Sequence, residues 1–150
     1  MTHVYKTILV GIDGSDQAEL AFEKGVAVAK RNHAKLVLAH IIDTRALQNV
    51  NTLDASNYEI IEQEAKAILD EHRTTAMAAG VTDIETILEL GNPKTLLATE
   101  IPDEVGADLI MVGATGLNAF ERLLIGSSSE YILRHAKVDL LIVRDPEKTL

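Results

Sequence analysis

Two glycine-containing turns follow short apolar runs that are typical of β-strands. The first is Gly11-Ile-Asp-Gly-Ser15, and the second is Gly113-Ala-Thr-Gly116. Glycine at such a turn lets backbone N–H groups approach phosphate oxygens, because no Cβ lies in the way. The run Gly126-Ser127-Ser128 comes directly before a helical pattern, and the free N–H groups of a helix start attract anions. The combined spacing, Gly113-x2-Gly116-x9-Gly126-Ser127, predicts a phosphate-binding cradle.

Polar side chains near these turns allow a functional and a structural interpretation. Asp13 follows the first strand, where a carboxylate is a usual functional acid, but it could also cap the turn or the next helix. Ser127 could be a plain N-cap, and that role leaves the helix N–H groups available to a phosphate. Arg122 lies near the predicted phosphates, although an exposed arginine is more often simply solvated.

The common catalytic and nucleotide-binding fingerprints do not fit. Gly11-Ile-Asp-Gly14 is not a GxGxxG sequence, and no lysine follows a glycine-rich loop as in a P-loop. Zero cysteines exclude a disulfide framework and thiolate zinc sites, and the five histidines show no HExxH spacing. A Ser-His-Asp hydrolase is the nearest enzyme alternative, but the sequence has no G-x-S-x-G elbow. No catalytic residue is therefore assigned.

Composition limits the partners and the location. With 150 residues, of which 47% are apolar, the chain is expected to form one domain over residues 1–150. A formal net charge of −9 argues against nucleic acid or an anionic membrane as a partner, because both need a positive patch. No apolar run reaches the roughly 18 residues of a membrane span, so the expected location is cytoplasmic.

Strand-like and helix-like patterns alternate along the chain. The predicted strands are Lys6–Val10, Lys35–Ile42, Ile84–Leu88, Asp108–Val112 and Asp139–Val143. Most are continuously apolar, as in a parallel sheet that helices cover on both faces. Site residues then belong at the carboxyl ends of the strands, near the switch point of a doubly wound α/β fold.

Four helices are predicted between these strands. The first runs from Ser15 or Asp16 to about Asn32, with a capping box of Asp16 and Glu19, and the second from about Asn57 to Ala79. The third runs from Pro93 toward Val105, with a break or kink near Pro102. The fourth begins at Ser127, with a capping box of Ser127 and Glu130. Periodicity by itself does not give the order of the strands.

The segment from Gly113 to Ala136 resembles the signature of universal stress proteins that bind ATP. The opening Tyr5–Ser15 and the segment Leu38–Asp43 resemble the same family, so the likeness extends over essentially the whole chain. The resemblance implies a five-stranded parallel sheet in the order 3-2-1-4-5, Rossmann-like and similar to adenine nucleotide alpha hydrolases. In that order the first and fourth strands are neighbours, which brings both glycine turns to one crevice.

The resemblance also implies roles for individual residues. Asp13 would lie near the ribose or a Mg²⁺ or Mn²⁺ ion bound with ATP, Ile41 would offer backbone hydrogen bonds to adenine, and Gly11 would leave room for the base. The remaining implied binding residues are Val112, Gly113, Gly116, Gly126, Ser127 and Ser128. Ala114-Thr115 departs from the family pattern, which leaves any side-chain contact of that turn open. Lys137-Val138-Asp139 also departs, because it lacks the usual proline before the last strand.

The last strand, Asp139 to Arg144, would be an edge of such a sheet. Exposed edges invite pairing, so we expect a homodimer through this strand, as is common in the family. The function that the resemblance implies is that of a regulatory or stress-response protein that binds ATP, with at most slow ATP hydrolysis. The alternative function is a dimeric interaction module of the same fold that binds another adenine compound or no nucleotide. Sequence alone does not give the physiological partner.

Overall fold

A five-stranded parallel sheet forms the centre of the molecule. The computed structural model describes residues 4–45, 55–114 and 126–145. The strands are β1 (Thr7–Gly11), β2 (Lys35–Asp43), β3 (Ile84–Gly91), β4 (Leu109–Gly113) and β5 (Asp139–Val143). Their order is β3-β2-β1-β4-β5, which confirms the order 3-2-1-4-5.

The register places the carboxyl ends of the central strands side by side. Ile8 of β1 lies opposite Leu36 of β2 on one side and opposite Leu109 of β4 on the other. The chain passes from β1 to β2 on one side of β1 and returns to β4 on the other. The crevice between β1 and β4 is therefore the topological switch point, where parallel α/β sheets usually bind ligands.

Helices cover both faces of the sheet. One face packs against α1 (Asp16–Asn32) and α2 (Ala55–Ala79). The other packs against α3 (Pro93–Thr95), a π-helical turn (Leu96–Glu100), α4 (Ile101–Val105) and α5 (Ser127–His135). Alternate residues of each central strand supply the two layers, so Val10 belongs to the first and Leu9 to the second. Among the described residues, no helix has the length and apolarity to cross a bilayer.

Helix positions agree with the sequence predictions, but the two predicted capping boxes do not. The N-cap of α1 is Ser15, whose hydroxyl accepts a hydrogen bond from the Ala18 amide, so the predicted capping box of Asp16 and Glu19 is wrong. The N-cap of α5 is Gly126, and no side chain caps that helix start. The capping box predicted for Ser127 is therefore also wrong.

The break predicted near Pro102 is present as the π-helical turn that precedes it. Proline has no amide hydrogen, and its ring would collide with the carbonyl four residues earlier in a regular α-helix. A wider π-turn relieves that collision and keeps the helical path continuous. Asn92 caps the beginning of this segment by accepting a hydrogen bond from the Lys94 amide, with Pro93 at the first position.

Candidate functional site

A cleft of about 270 Å³ lies at the carboxyl ends of β1, β2 and β4. The start of α5 and the first turns of α1 and α3 complete its walls. Its lining includes most of the predicted site residues that the structure describes: Gly11, Asp13, Ile41, Val112, Gly113 and Ser128. The topology thus brings together residues that are as far as 117 positions apart in the chain, as from Gly11 to Ser128.

Asp13 has a local structural role in the turn after β1. Its Oδ1 atom accepts a hydrogen bond of 2.9 Å from the Ser15 amide, and Ser15 in turn caps α1. The side chain is exposed and lines the cleft. Oδ2 has no hydrogen-bond partner among the described residues. One carboxylate oxygen therefore holds the turn, and the other is available to a ligand.

The two glycines at the strand ends are constrained differently. A Cβ built at Gly11 would lie 3.0 Å from a terminal methyl group of Leu97. The Leu97 side chain is flexible at that end and also lines the cleft. A Cβ at Gly113 would collide with the backbone carbonyl of Gln17 in the first turn of α1. Gly113 is thus needed for the close approach of α1 to β4, whether or not a ligand binds. A substitution there would disturb helix packing as well as any phosphate contact.

The start of α5 is fixed to the end of β4. The buried Ser129 donates a hydrogen bond of 3.0 Å from its hydroxyl to the Gly113 carbonyl. Ser128 and Ser129 line the cleft, whereas Gly126 and Ser127 lie next to it along the chain without lining it. No side chain of the described residues caps α5, so within that part of the chain its first N–H groups are not taken by a cap. Sequence analysis missed Ser129, which directs this helix start at the cleft.

Two apolar residues form part of the cleft wall. Ile41 near the end of β2 and Val112 near the end of β4 are both buried and belong to the same apolar layer. They present a nonpolar surface next to the polar turns, as is usual in small-molecule sites. Gly116 and Arg122 lie outside the described residues.

Two basic residues that sequence analysis did not select also line the cleft. Arg45 follows β2, and Lys94 lies in the first turn of α3. The guanidinium of Arg45 contacts Asp43, with N–O distances of 2.9 and 3.2 Å. This hydrogen bond, together with one from the Arg45 backbone amide, lowers the pKa of Asp43. Arg45 and Lys94 each follow the end of a strand, and this position is the one signal in the sequence that could have identified them.

Among the described residues, no group of three or more His, Asp or Glu side chains could hold a metal ion. Asp13 alone offers a single free carboxylate oxygen at the cleft. Such a site fits a hard cation only when the ligand's own phosphate oxygens complete the coordination. The chemistry available to the cleft is therefore binding of an anion by N–H groups and cations, beside a nonpolar wall.

Comparison with known proteins gives a consistent set of relatives. A model of the universal stress protein family matches residues 4–144. A relative from Staphylococcus aureus (strain USA300), described as a universal stress protein, is 46% identical over 143 residues, which cover 95% of this chain and 86% of the relative. A universal stress protein crystallised in complex with cAMP has a TM-score of 0.68 and 36% identity, covering 94% of this chain and 98% of that one. A family member from Burkholderia pseudomallei has a TM-score of 0.74 and 26% identity, and the match covers 93% of this chain and 96% of that one.

Proposed function

The chain belongs to the universal stress protein family, and on that premise we propose that it is a regulatory protein that binds ATP, with Mg²⁺ or Mn²⁺, in the cleft between β1 and β4. A cytoplasmic location, where ATP is abundant, is part of this proposal. The observation that carries it is the convergence of three features on one cleft. These are a nonpolar wall, an uncapped helix start and a carboxylate with a free oxygen.

The features match the parts of a nucleotide. Ile41 and Val112 would contact the base, and the first turn of α5 would face the phosphates. Asp13 would contact the ribose or the cation that accompanies the phosphates. The 36% identical relative in complex with cAMP supports an adenine nucleotide as the ligand class.

Hydrolysis would be slow at this site. Among the described residues that line the cleft, the only carboxylates are Asp13 and Asp43, and both already accept hydrogen bonds within their own turns. Both oxygens of Asp43 accept hydrogen bonds from Arg45, and the free oxygen of Asp13 is the one proposed to contact the ribose or the cation, so neither carboxylate is placed as a general base for an attacking water. Binding and release of the nucleotide, rather than turnover, would supply the regulatory signal.

The position of β5 at an edge of the described sheet supports the proposal of a homodimer through Asp139 to Arg144. Val143 accepts a hydrogen bond from the Ala114 amide, so Val143 directs its backbone groups at β4. Because backbone groups alternate along a strand, those of Leu140 and Ile142 point away from the sheet. The Leu141 side chain on the same strand is 36% exposed. An antiparallel twofold mate would pair the free backbone groups and cover apolar surface.

Substitution of Gly126 tests the nucleotide site without disturbing Gly113. The φ of −59° at Gly126 suits any residue, so Gly126→Val introduces no backbone strain. The branched side chain would occupy the space before the first N–H groups of α5, and we expect at least about a tenfold loss of ATP affinity, or about 1.4 kcal/mol. Calorimetry measures the affinity, and circular dichroism checks the fold.

Thr82→Val is the matched control, because it adds a valine at an exposed position away from the cleft. It should bind ATP like the wild type. Unchanged affinity in Gly126→Val would refute the phosphate position. A wild type that binds no adenine nucleotide but remains dimeric would favour the interaction module instead.

A further inference from the structure

Lys94 is a cation at the cleft that no carboxylate neutralises among the described residues. Arg45, the other basic residue of the lining, is paired with Asp43. Asp13 accepts its hydrogen bond from a backbone amide rather than from a cation. The cleft therefore contains one uncompensated ammonium in a chain whose formal net charge is −9. Asp13 places a negative charge in the same lining, so the attraction for an anion is local to this ammonium rather than a property of the whole cleft.

The ammonium of Lys94 has a defined position. Its Nζ atom lies 5.3 Å from the centroid of the Tyr131 ring, within the range of a cation–π interaction. Tyr131 is itself held by stacking on His135, with ring centroids 4.0 Å apart and an interplanar angle of 20°. The backbone amide of Lys94 is bound separately by Asn92, so a change of the side chain leaves that cap intact.

This position is close to the predicted phosphates. Tyr131 lies three residues after Ser128 on α5, and residues at that spacing are neighbours on one helix face. Helical aromatic side chains also point back toward the N-terminus of their helix. The ammonium over the Tyr131 ring therefore lies beside the first two turns of α5, and Lys94 and Ser128 line the same cleft, although Tyr131 does not.

We propose that Lys94, positioned by Tyr131, binds the terminal phosphates of the nucleotide and makes the cleft prefer ligands with more phosphate charge. This assignment rests on the proposed ATP site and adds the residue that makes the affinity depend on the phosphate charge of the ligand. The ammonium would keep its place over the aromatic ring and add hydrogen bonds to phosphate oxygens, which are strong because both partners are charged. Adenosine lacks those oxygens and gains nothing from Lys94.

The test compares ATP with adenosine in the full-length protein. Lys94→Gln removes the charge and keeps most of the side-chain length, and we expect about a tenfold loss of ATP affinity with less than about a twofold change for adenosine. The dependence of ATP affinity on salt should also become weaker, because one cation no longer contributes. Tyr131→Leu keeps Lys94 but removes its support, so we expect about a threefold loss for ATP alone.

Lys66→Gln is the control, because Lys66 is an exposed lysine of α2 outside the cleft, paired with Glu62. It should leave both affinities unchanged. Equal losses for ATP and adenosine in Lys94→Gln, or no loss for ATP, would overturn the assignment of Lys94 while the ATP site itself stands. A wild type that binds neither compound would instead overturn the proposed function, and this inference with it.

Discussion

At the scale of single residues, polar side chains around the cleft hold its walls in place by hydrogen bonds. Asp13 uses one oxygen for the Ser15 amide, and Ser129 uses its hydroxyl for the Gly113 carbonyl. The first bond fixes the turn after β1, and the second fixes the start of α5 to the end of β4, before any ligand arrives. Such preorganisation lowers the cost of ordering the site on binding.

The charge of Asp13 can be tested separately from its turn. Asp13→Asn keeps an Oδ1 acceptor for the Ser15 amide but removes the negative charge. We therefore expect near-native stability, and about a tenfold loss of ATP affinity with Mg²⁺ present, because a hard cation loses an anionic ligand. The loss without Mg²⁺ should be smaller. Calorimetry in both conditions provides the measurement.

Asp70→Asn serves as the control, since Asp70 is an exposed residue of α2 outside the cleft and its substitution makes the same change in net charge. Equal losses with and without Mg²⁺ in Asp13→Asn would assign Asp13 to the ribose or to the turn.

At the scale of elements, a histidine joins α1 to α2. The Nε2 atom of His72 lies 2.7 Å from a Glu19 carboxylate oxygen, and its Nδ1 atom lies 2.7 Å from the Ile68 carbonyl oxygen. Phe22 contacts the ring edge-on. Both ring nitrogens therefore face acceptors, and only the protonated imidazole donates to both.

This contact predicts a pH-dependent stability. Burial by itself would lower the pKa of His72, but the hydrogen bonds to Glu19 and Ile68 and the charges of Glu19 and Glu71 outweigh it and hold the pKa above 6.5. The stabilisation of the folded state by protonated His72 is therefore complete below about pH 6.5, and it is lost as the pH rises through the higher pKa of the folded state. We expect His72→Gln to reduce the free energy of unfolding by about 1 kcal/mol near pH 6 and by less near pH 8.5.

Urea unfolding at the two pH values gives the measurement. His33→Asn, at the exposed C-cap of α1, is the control, because asparagine tolerates the left-handed backbone of that position. A difference between wild type and His72→Gln that does not change with pH would show that the charged form of His72 does not join the two helices.

At the scale of the whole molecule, the two edges of the sheet differ in how they are protected. The β3 edge carries Glu85, paired with Lys35, and Glu89, whose pKa is raised by burial and by the nearby Glu104 and Glu100. Charges of this kind discourage a second strand from pairing. The β5 edge has an uninterrupted apolar run from Leu140 to Val143. The β5 edge is therefore the better candidate for an interface between two copies.

The proposed dimer can be tested by removing one donor from that edge. Because the Ile142 backbone groups point away from β4, Ile142→Pro deletes an outward N–H and leaves the ladder to β4 in place. We expect the variant to be a folded monomer, or at least about tenfold weaker in self-association, by light scattering at micromolar concentration.

Leu141→Pro is the contrasting variant, since its backbone groups face β4 and its substitution should damage the fold itself. A monomeric wild type, or a dimer that Ile142→Pro leaves intact, would show that β5 is not the interface.

The sequence alone determined the elements of this protein, because strand and helix patterns depend on neighbouring residues. The five predicted strands and the four helical segments all appear, with ends shifted by a few residues at most. Periodicity could not give the strand order, which came from the resemblance to a family and which the sheet confirms. The roles predicted for the site residues stay predictions.

Only the tertiary structure decided which groups meet at the cleft. Lys94 and Arg45 follow different strands, and nothing in their local sequence shows that both face one cavity. The tertiary structure also sets how the start of α5 is capped and held. The hydroxyl of Ser129 reaches Gly113 on β4, and Gly126, rather than Ser127, is the N-cap of α5. Contacts between residues distant in sequence set these features, and a local pattern contains no information about such contacts.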